Sequence, residues 1–222
     1  MVSLLLSSYA KADNKILLDQ TGDDLNLNIV QIGGNNEIKK YDSGSYMSGS
    51  DMSIDFYQNN SGTQNTIDIW HLDGSNNSIR WGQGGKLNNA ADTTFAYDGT
   101  ESGGHYARLD IHGNNNSVSG WQANSGNGAH TYNQLIFGNN NSVYVEQRGD
   151  GAKTLNLTIS GSGSNIASII QKGVGHTATI SLYGTDPTTL NLLQQGTTAQ
   201  TYSLTQNCIT SGGCSIGVTQ GN

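Results

Sequence analysis

The chain has 222 residues, of which 34% are hydrophobic and 12% charged, with 30 Gly, a single Pro and a formal charge of −7. An ordinary globular domain carries more apolar residues and about twice the charge, so a thick oily core is excluded. The acidic balance and the lack of a Lys/Arg cluster exclude nucleic acid and anionic membranes as partners, and no apolar run is long enough for membrane insertion.

Residues 1–12 close on Ala10-Lys11-Ala12, an Ala-x-Ala cleavage signature behind a short apolar run. They read as the remnant of a signal peptide, with the mature chain beginning at Asp13. Residues 13–24 are polar and aperiodic and read as a flexible leader. Period-2 alternation then starts at Leu25-Asn26-Leu27-Asn28-Ile29-Val30-Gln31 and resumes, after a Gly-Gly-Asn turn, at Asn36-Glu37-Ile38. No helix-period segment and no linker interrupts residues 25–222. Residues 84–104 are Gly-rich and read as an inserted loop.

The clearest unit is Asn141-Ser142-Val143-Tyr144-Val145-Glu146-Gln147. In strand geometry Asn141, Val143, Val145 and Gln147 share one face and Ser142, Tyr144 and Glu146 the other. The template (Asn, any residue, aliphatic or small, three of any, Gln) is matched in full from Asn77 to Gln83, Asn116 to Gln122, Asn141 to Gln147 and Asn165 to Gln171. One end is changed in the copies at Asn36, at Asn65, from Thr188 to Gln194 and from Cys214 to Gln220. The last five copies are separated by 25, 24, 23 and 26 residues, a repeat-protein period. Asn65 and Asn77 stand half a period apart, which predicts that 65–72 and 77–83 are the two strands of one rung, with Met52 to Gln58 in the preceding one. Strands starting at Tyr106, Tyr132, Leu155, Ala178 and Tyr202 complete the later rungs.

A strand-turn-strand unit cannot satisfy its own backbone. Stacking the next unit about 4.8 Å away pairs every N–H and C=O and sets like residues over like. The expected fold is therefore all-β: a β-solenoid of about seven or eight stacked strand-turn-strand repeats, two parallel sheets facing a narrow core. Inward amides are expected to form ladders, since each has donors and acceptors for the copies on either side. The ladder and core-repeat positions are Gln31, Asn36, Asn65, Asn77, Gln83, Asn116, Gln122, Asn141, Gln147, Asn165, Gln171, Gln194, Gln206 and Gln220. The ends of such a stack are exposed strand edges that template further pairing. The C-terminal copy looks uncapped, whereas at the other end Lys40 falls inward and Asp42 replaces Gln. Growth is expected to be governed by the C-terminal end.

Two cysteines, Cys208 and Cys214, lack the partners of a zinc site. A local disulfide closing one turn is favoured over free thiols in an exported chain. The pairs Asp110 with His112 and Asp68 with His71 are the candidates for enzyme chemistry, but the alternation sets Asp110 outward and surface positions explain them, so no enzyme is expected. The five His do not cluster in sequence, and no metal site or cofactor is expected. Asp73-Gly74-Ser75-Asn76-Asn77 reads as an Asx-type turn. Trp70 and Trp121 fall outward and Trp81 inward. Glu37, Lys39, Arg80, Glu146 and Arg148 read as outward gatekeepers against sideways sticking.

These motifs resemble the curlin repeat, in which Gln-x-Gly-x-Gly-Asn-x-Ala-x-x-x-Gln recurs every twenty-odd residues. Its second half is matched at Asn165-Ile166-Ala167 to Gln171, and with Val or Ile for Ala at Asn77, Asn116 and Asn141. Its first half keeps Gln-x-Gly at Gln31-Ile32-Gly33, loses the Gln to Ile111 and Ile136, and has further copies at Gln58 and Gln206. The resemblance spans roughly residues 25–220. It implies a secreted structural subunit that self-assembles end to end into amyloid fibres of a bacterial biofilm matrix and serves adhesion. It also implies a nucleator subunit and a dedicated outer-membrane secretion system as partners, and the surface of a Gram-negative bacterium as the location. The alternative is a monomeric β-solenoid adhesin, or a carbohydrate- or ice-binding module. That would need a flat outer face with a regular array such as Thr ladders, and Ser117, Ser142 and Ile166 show none.

Overall fold

The computed structural model describes residues 14–17, 20–21, 26–40, 46–48, 50, 52–60, 62–84, 86–87, 95–96, 103–124, 128–161 and 164–221. The signal-peptide remnant, much of the leader, most of the inserted loop, Asp42 and the side chain of Lys40 lie outside the described residues.

The strands in chain order are β1 (Lys15–Ile16), β2 (Gln20–Thr21), β3 (Asn26–Ile32), β4 (Glu37–Lys40), β5 (Tyr46–Ser48), β6 (Ser53–Asn59) and β7 (Thr66–Asp73). There follow β8 (Ser78–Gln83), β9 (Lys86–Leu87), β10 (Phe95–Ala96), β11 (Tyr106–His112), β12 (Ser117–Ala123), β13 (Thr131–Phe137) and β14 (Ser142–Arg148). The last six are β15 (Thr154–Ser160), β16 (Ile166–Lys172), β17 (Thr177–Gly184), β18 (Thr188–Gln194), β19 (Thr201–Cys208) and β20 (Cys214–Gln220).

They form a β-solenoid of two parallel sheets. The first sheet runs β3-β6-β8-β12-β14-β16-β18-β20, and the second runs β1-β4-β7-β11-β13-β15-β17-β19, with β5 paired to β7 and β2 to β5. Register in the first sheet is set residue on residue: Val118, Val143, Ala167, Leu190 and Ile216 stack in one column. The facing column of the second sheet holds Leu72, Ile111, Ile136, Ile159 and Leu182. These side chains, with Leu27, Ile29, Ile54, Phe56, Ile79 and Trp81, make one continuous buried core. It is thin because each strand offers it only two or three side chains.

The expected pairing of 65–72 with 77–83 holds: β7 and β8 are joined by the tight turn Gly74-Ser75-Asn76-Asn77 and enter opposite sheets. The turns repeat this geometry, with left-handed Asn76 (φ 57°), Asn115 (φ 57°) and Asn140 (φ 59°), a region that Asn tolerates better than most residues. At Gly113 (φ 131°) a Cβ would stand 2.0 Å from the Gly138 carbonyl oxygen, so stacked turns require glycine there. One large residue is accommodated by a neighbour. Trp81 points inward as expected and stacks on Tyr132 at 4.6 Å, and the position over it in the next rung is Gly120.

Three expectations are corrected. The copy at Asn36 does not share a sheet with those at Asn77 to Cys214, because it leads into β4 of the second sheet, next to the Asn65 copy in β7. Gln31 and Gln58, read as first-half residues, lie in β3 and β6 of the first sheet, in register with Gln83. The leader is not wholly free of the stack, since Lys15–Ile16 pairs in parallel with Glu37–Ile38.

Candidate functional site: the amide ladder and the terminal rung

The column that closes the first sheet is glutamine in all eight strands. Nε2 of each residue donates to Oε1 of the next: Gln31 to Gln58 (2.8 Å), Gln58 to Gln83 (2.9 Å), Gln83 to Gln122 (2.9 Å) and Gln122 to Gln147 (3.0 Å). It continues from Gln147 to Gln171 (3.0 Å), Gln171 to Gln194 (2.8 Å) and Gln194 to Gln220 (2.8 Å). The second amide hydrogen goes to the facing sheet, as from Gln122 to the carbonyls of Tyr106 and His130. The ladder therefore has a direction, and it ties the two sheets together at every rung. Gln206 is not in it. It lies in β19, over Leu182 of the apolar column.

A second, shorter ladder occupies one corner. Oδ1 of Asn77 accepts from the backbone and side-chain N–H groups of Asn116, Asn116 serves Asn141 likewise, and Asn141 serves Asn165. Asn165 Oδ1 then accepts the backbone N–H of Thr188, and the series ends there because threonine has no amide to extend it. Asn36 and Asn65 are buried at the opposite corner, where Asn60 donates to Asn36 and the His105 backbone N–H to Asn65.

That opposite corner carries a column sequence reasoning missed. Asn36, Asn65, His105, His130, Lys153 and His176 are all buried, and each precedes a strand of the second sheet. The signal was available as a polar residue just before Tyr106, Thr131, Thr154 and Thr177. Burial, then the Lys153 charge, lowers the His105 imidazole to about 3. Burial, then His105 and Lys153, lowers His130 to about 2. Both are neutral at pH 7, and the His130 N–H donates to Nδ1 of His105 at 3.1 Å. Burial lowers Lys153 to about 8, and its ammonium is held by the carbonyls of Gly149, Asp150, Gly151 and Gly173.

The outer faces differ from expectation as well. Asp68 and Asp110 lie on the outer side of the second sheet but are only 2% and 3% exposed. Asp110 meets His112 as expected, together with Arg108 and His71, whereas Asp68 takes Tyr106 Oη as its donor and leaves His71 to Asp110. His71 and His112 thus do come together in space. Trp121 is outward in register but buried, with Tyr144 edge-on to it and β9 running against its strand. Glu146 is likewise covered, bonded by Tyr144 Oη and Arg148. Two outer columns of the second sheet are more regular than those of the first. Thr131, Thr154, Thr177 and Thr201 stack in register, beside Asn133, Asn156, Thr179 and Ser203.

Among the described residues, β19 pairs only with β17 and β20 only with β18. Their inward residues Tyr202, Leu204, Ile216 and Val218 pack on the core but are half-covered, unlike their fully buried counterparts one rung back. Cys208 and Cys214 are disulfide-bonded across the turn that joins these two strands.

The architecture defines the class: a parallel two-sheet β-solenoid with an internal glutamine ladder. Compared with known protein families, curated proteins and solved structures, the chain shows no significant match.

Proposed function

We propose that this chain is a secreted structural subunit of the curlin type that polymerises end to end into an extracellular fibre for biofilm matrix and adhesion. The observation that carries this reading is the directed glutamine ladder. Its last member, Gln220, donates Nε2 to the Thr201 carbonyl on the half-covered terminal rung, and its first, Gln31, stands on β3 at the other edge of the same sheet. Head-to-tail stacking sets Gln220 Nε2 against Gln31 Oε1 of the next copy, covers Leu204 and Val218, and continues both backbone ladders. A nucleator subunit, an outer-membrane secretion system and the surface of a Gram-negative bacterium belong to the same proposal, and rest on the repeat resemblance.

The test is charge on the stacking face. Val218→Lys with Leu204→Lys is expected to abolish fibre elongation while the soluble chain keeps its β-sheet circular dichroism. Thr158→Lys, on the outer face, is expected to leave elongation unchanged. Unchanged elongation in the first variant sinks the stacking model.

A second reading is favoured by the in-register Thr and Asn columns of the second sheet, the regular array that the outward residues of the first sheet lack. On that reading the chain is a monomeric module binding a repetitive polar surface, a carbohydrate polymer or ice. Size-exclusion at neutral pH with glycan-binding and ice-recrystallisation assays separates the two.

A further inference from the structure

We propose that the outer face of the second sheet holds a divalent transition-metal site, of zinc type, made by His71, Asp110 and His112. One nitrogen from each imidazole and one oxygen of the carboxylate lie within 4.8 Å of one another. Asp110 Oδ1 is the common point, 3.0 Å from His112 Nε2 and 3.3 Å from His71 Nδ1. Two ligands of a tetrahedral ion with bonds of about 2.0–2.2 Å stand roughly 3.3 Å apart, so these separations are those of adjacent ligands. Two imidazoles and one carboxylate suit zinc and its neighbours rather than calcium or magnesium. His71 and His112 are partly exposed, which leaves the fourth position to water.

The groups around these three each orient a ligand. The other nitrogen of His112, Nδ1, meets Asp73 Oδ1 at 2.8 Å, which directs Nε2 to the site in the carboxylate–histidine arrangement of metal centres. Phe137 stacks on the same ring at 4.5 Å and fixes its plane. Arg108 binds Asp110 through Oδ2 at 3.0 Å and leaves Oδ1 to the site. The Arg108 guanidinium itself lies 3.2 Å over the Trp70 ring.

The independent observation is a β-bulge. The pairing of β11 with β7 matches Leu109 with Ile69 and then Asp110 with His71, so Trp70 is an extra residue. Strict alternation from Ile69 would turn His71 into the core. The bulge sets Trp70 and His71 on the outer side and returns Leu72, fully buried, to the inner one. Bulges re-aim side chains at functional positions, and this one delivers a ligand with one residue and anchors Arg108 with the other. The site also joins β7 to β11, which the chain connects only through β8 and the excursion between Gln83 and Tyr106. An ion there clips the stack where its covalent continuity is longest.

The test titrates Zn2+ into the chelator-treated full chain by calorimetry. One saturable Zn2+ per chain is expected, with a higher melting temperature in its presence. Asp73→Asn, which removes no ligand, is expected to weaken binding about 10–100-fold, and His71→Asn with His112→Asn to abolish it. Binding that survives the double variant assigns the ion elsewhere, for instance to His105 and His130, and overturns the proposal. So does a wild-type chain that takes up no stoichiometric Zn2+. Should the variants not fold, Co2+ in the wild type decides: strong visible absorption of a four-coordinate ion is expected, and a weak six-coordinate spectrum contradicts the site.

Discussion

Replacing Gln147 by Leu separates the energetic role of the amide ladder from its volume. Gln147 accepts from Gln122 and donates to Gln171 and to the Thr131 carbonyl, and all three glutamines are fully buried. Leucine fills similar space, so little cavity forms. It strands one N–H of Gln122 and the Oε1 of Gln171 with no water at hand. At about 1–3 kcal/mol for each unsatisfied buried group, the loss is about 2–6 kcal/mol. The same change at Gln220 is different, because that side chain ends the ladder and only one group, an N–H of Gln194, is stranded. There the loss is about 1–3 kcal/mol, half of that at Gln147. Urea unfolding of the soluble chain measures both. A stacked array opens locally, so amide exchange of the Val145 and Ile169 rungs is followed alongside. Equal and small losses at both positions would falsify the claim that the internal ladder holds the sheets together.

Acid is expected to weaken the fold through His105 and His130. Their folded pKa values, about 3 and about 2, lie below the ordinary 6.5. The unfolded chain therefore binds protons first, and the stability present above pH 6.5 is lost as pH falls toward 3. Each group contributes about 1.4 kcal/mol per pH unit, so the pair removes about 4 kcal/mol between pH 6.5 and 5. A urea midpoint that does not move over that interval refutes it. Gly120→Ala places a Cβ 2.4 Å from the Val145 carbonyl and 2.9 Å from Trp81 Cζ3. Overpacking of about 1–3 kcal/mol is expected, with partial recovery in the Trp81→Phe background, since only the second contact is relieved. An unchanged melting temperature argues against tight stacking at that rung.

The rung from Asn141 to Gln147 was legible because a strand buried on one side must alternate, and a stacked array must repeat what it alternates. The same logic located β11, β13, β15, β17 and β19. It failed where one local signal serves two places. Gly33-Gly34-Asn35-Asn36 and Gly74-Ser75-Asn76-Asn77 make the same left-handed Asn turn (φ 61° and 57°), yet the first leads from the first sheet to the second and the other leads back. Only the inter-rung pairing distinguishes them, which is why Gln31 and Gln58 were placed in the wrong half and Gln206 in a ladder it does not join. The grouping of His71 with Asp110 and His112 was out of reach for a different reason. It depends on a bulge and on pairing across the excursion between Gln83 and Tyr106, and neither leaves a periodic trace.

The central claim is that identical subunits continue the solenoid through their end rungs, and fibre diffraction from aligned assemblies of the purified chain tests it most directly. A meridional reflection at about 4.8 Å, parallel to the fibre axis, is predicted, because the rungs stack along that axis within and between subunits. A chain that stays at its 23.5 kDa monomer mass for days, or fibres whose 4.8 Å spacing runs across the axis, contradicts the account.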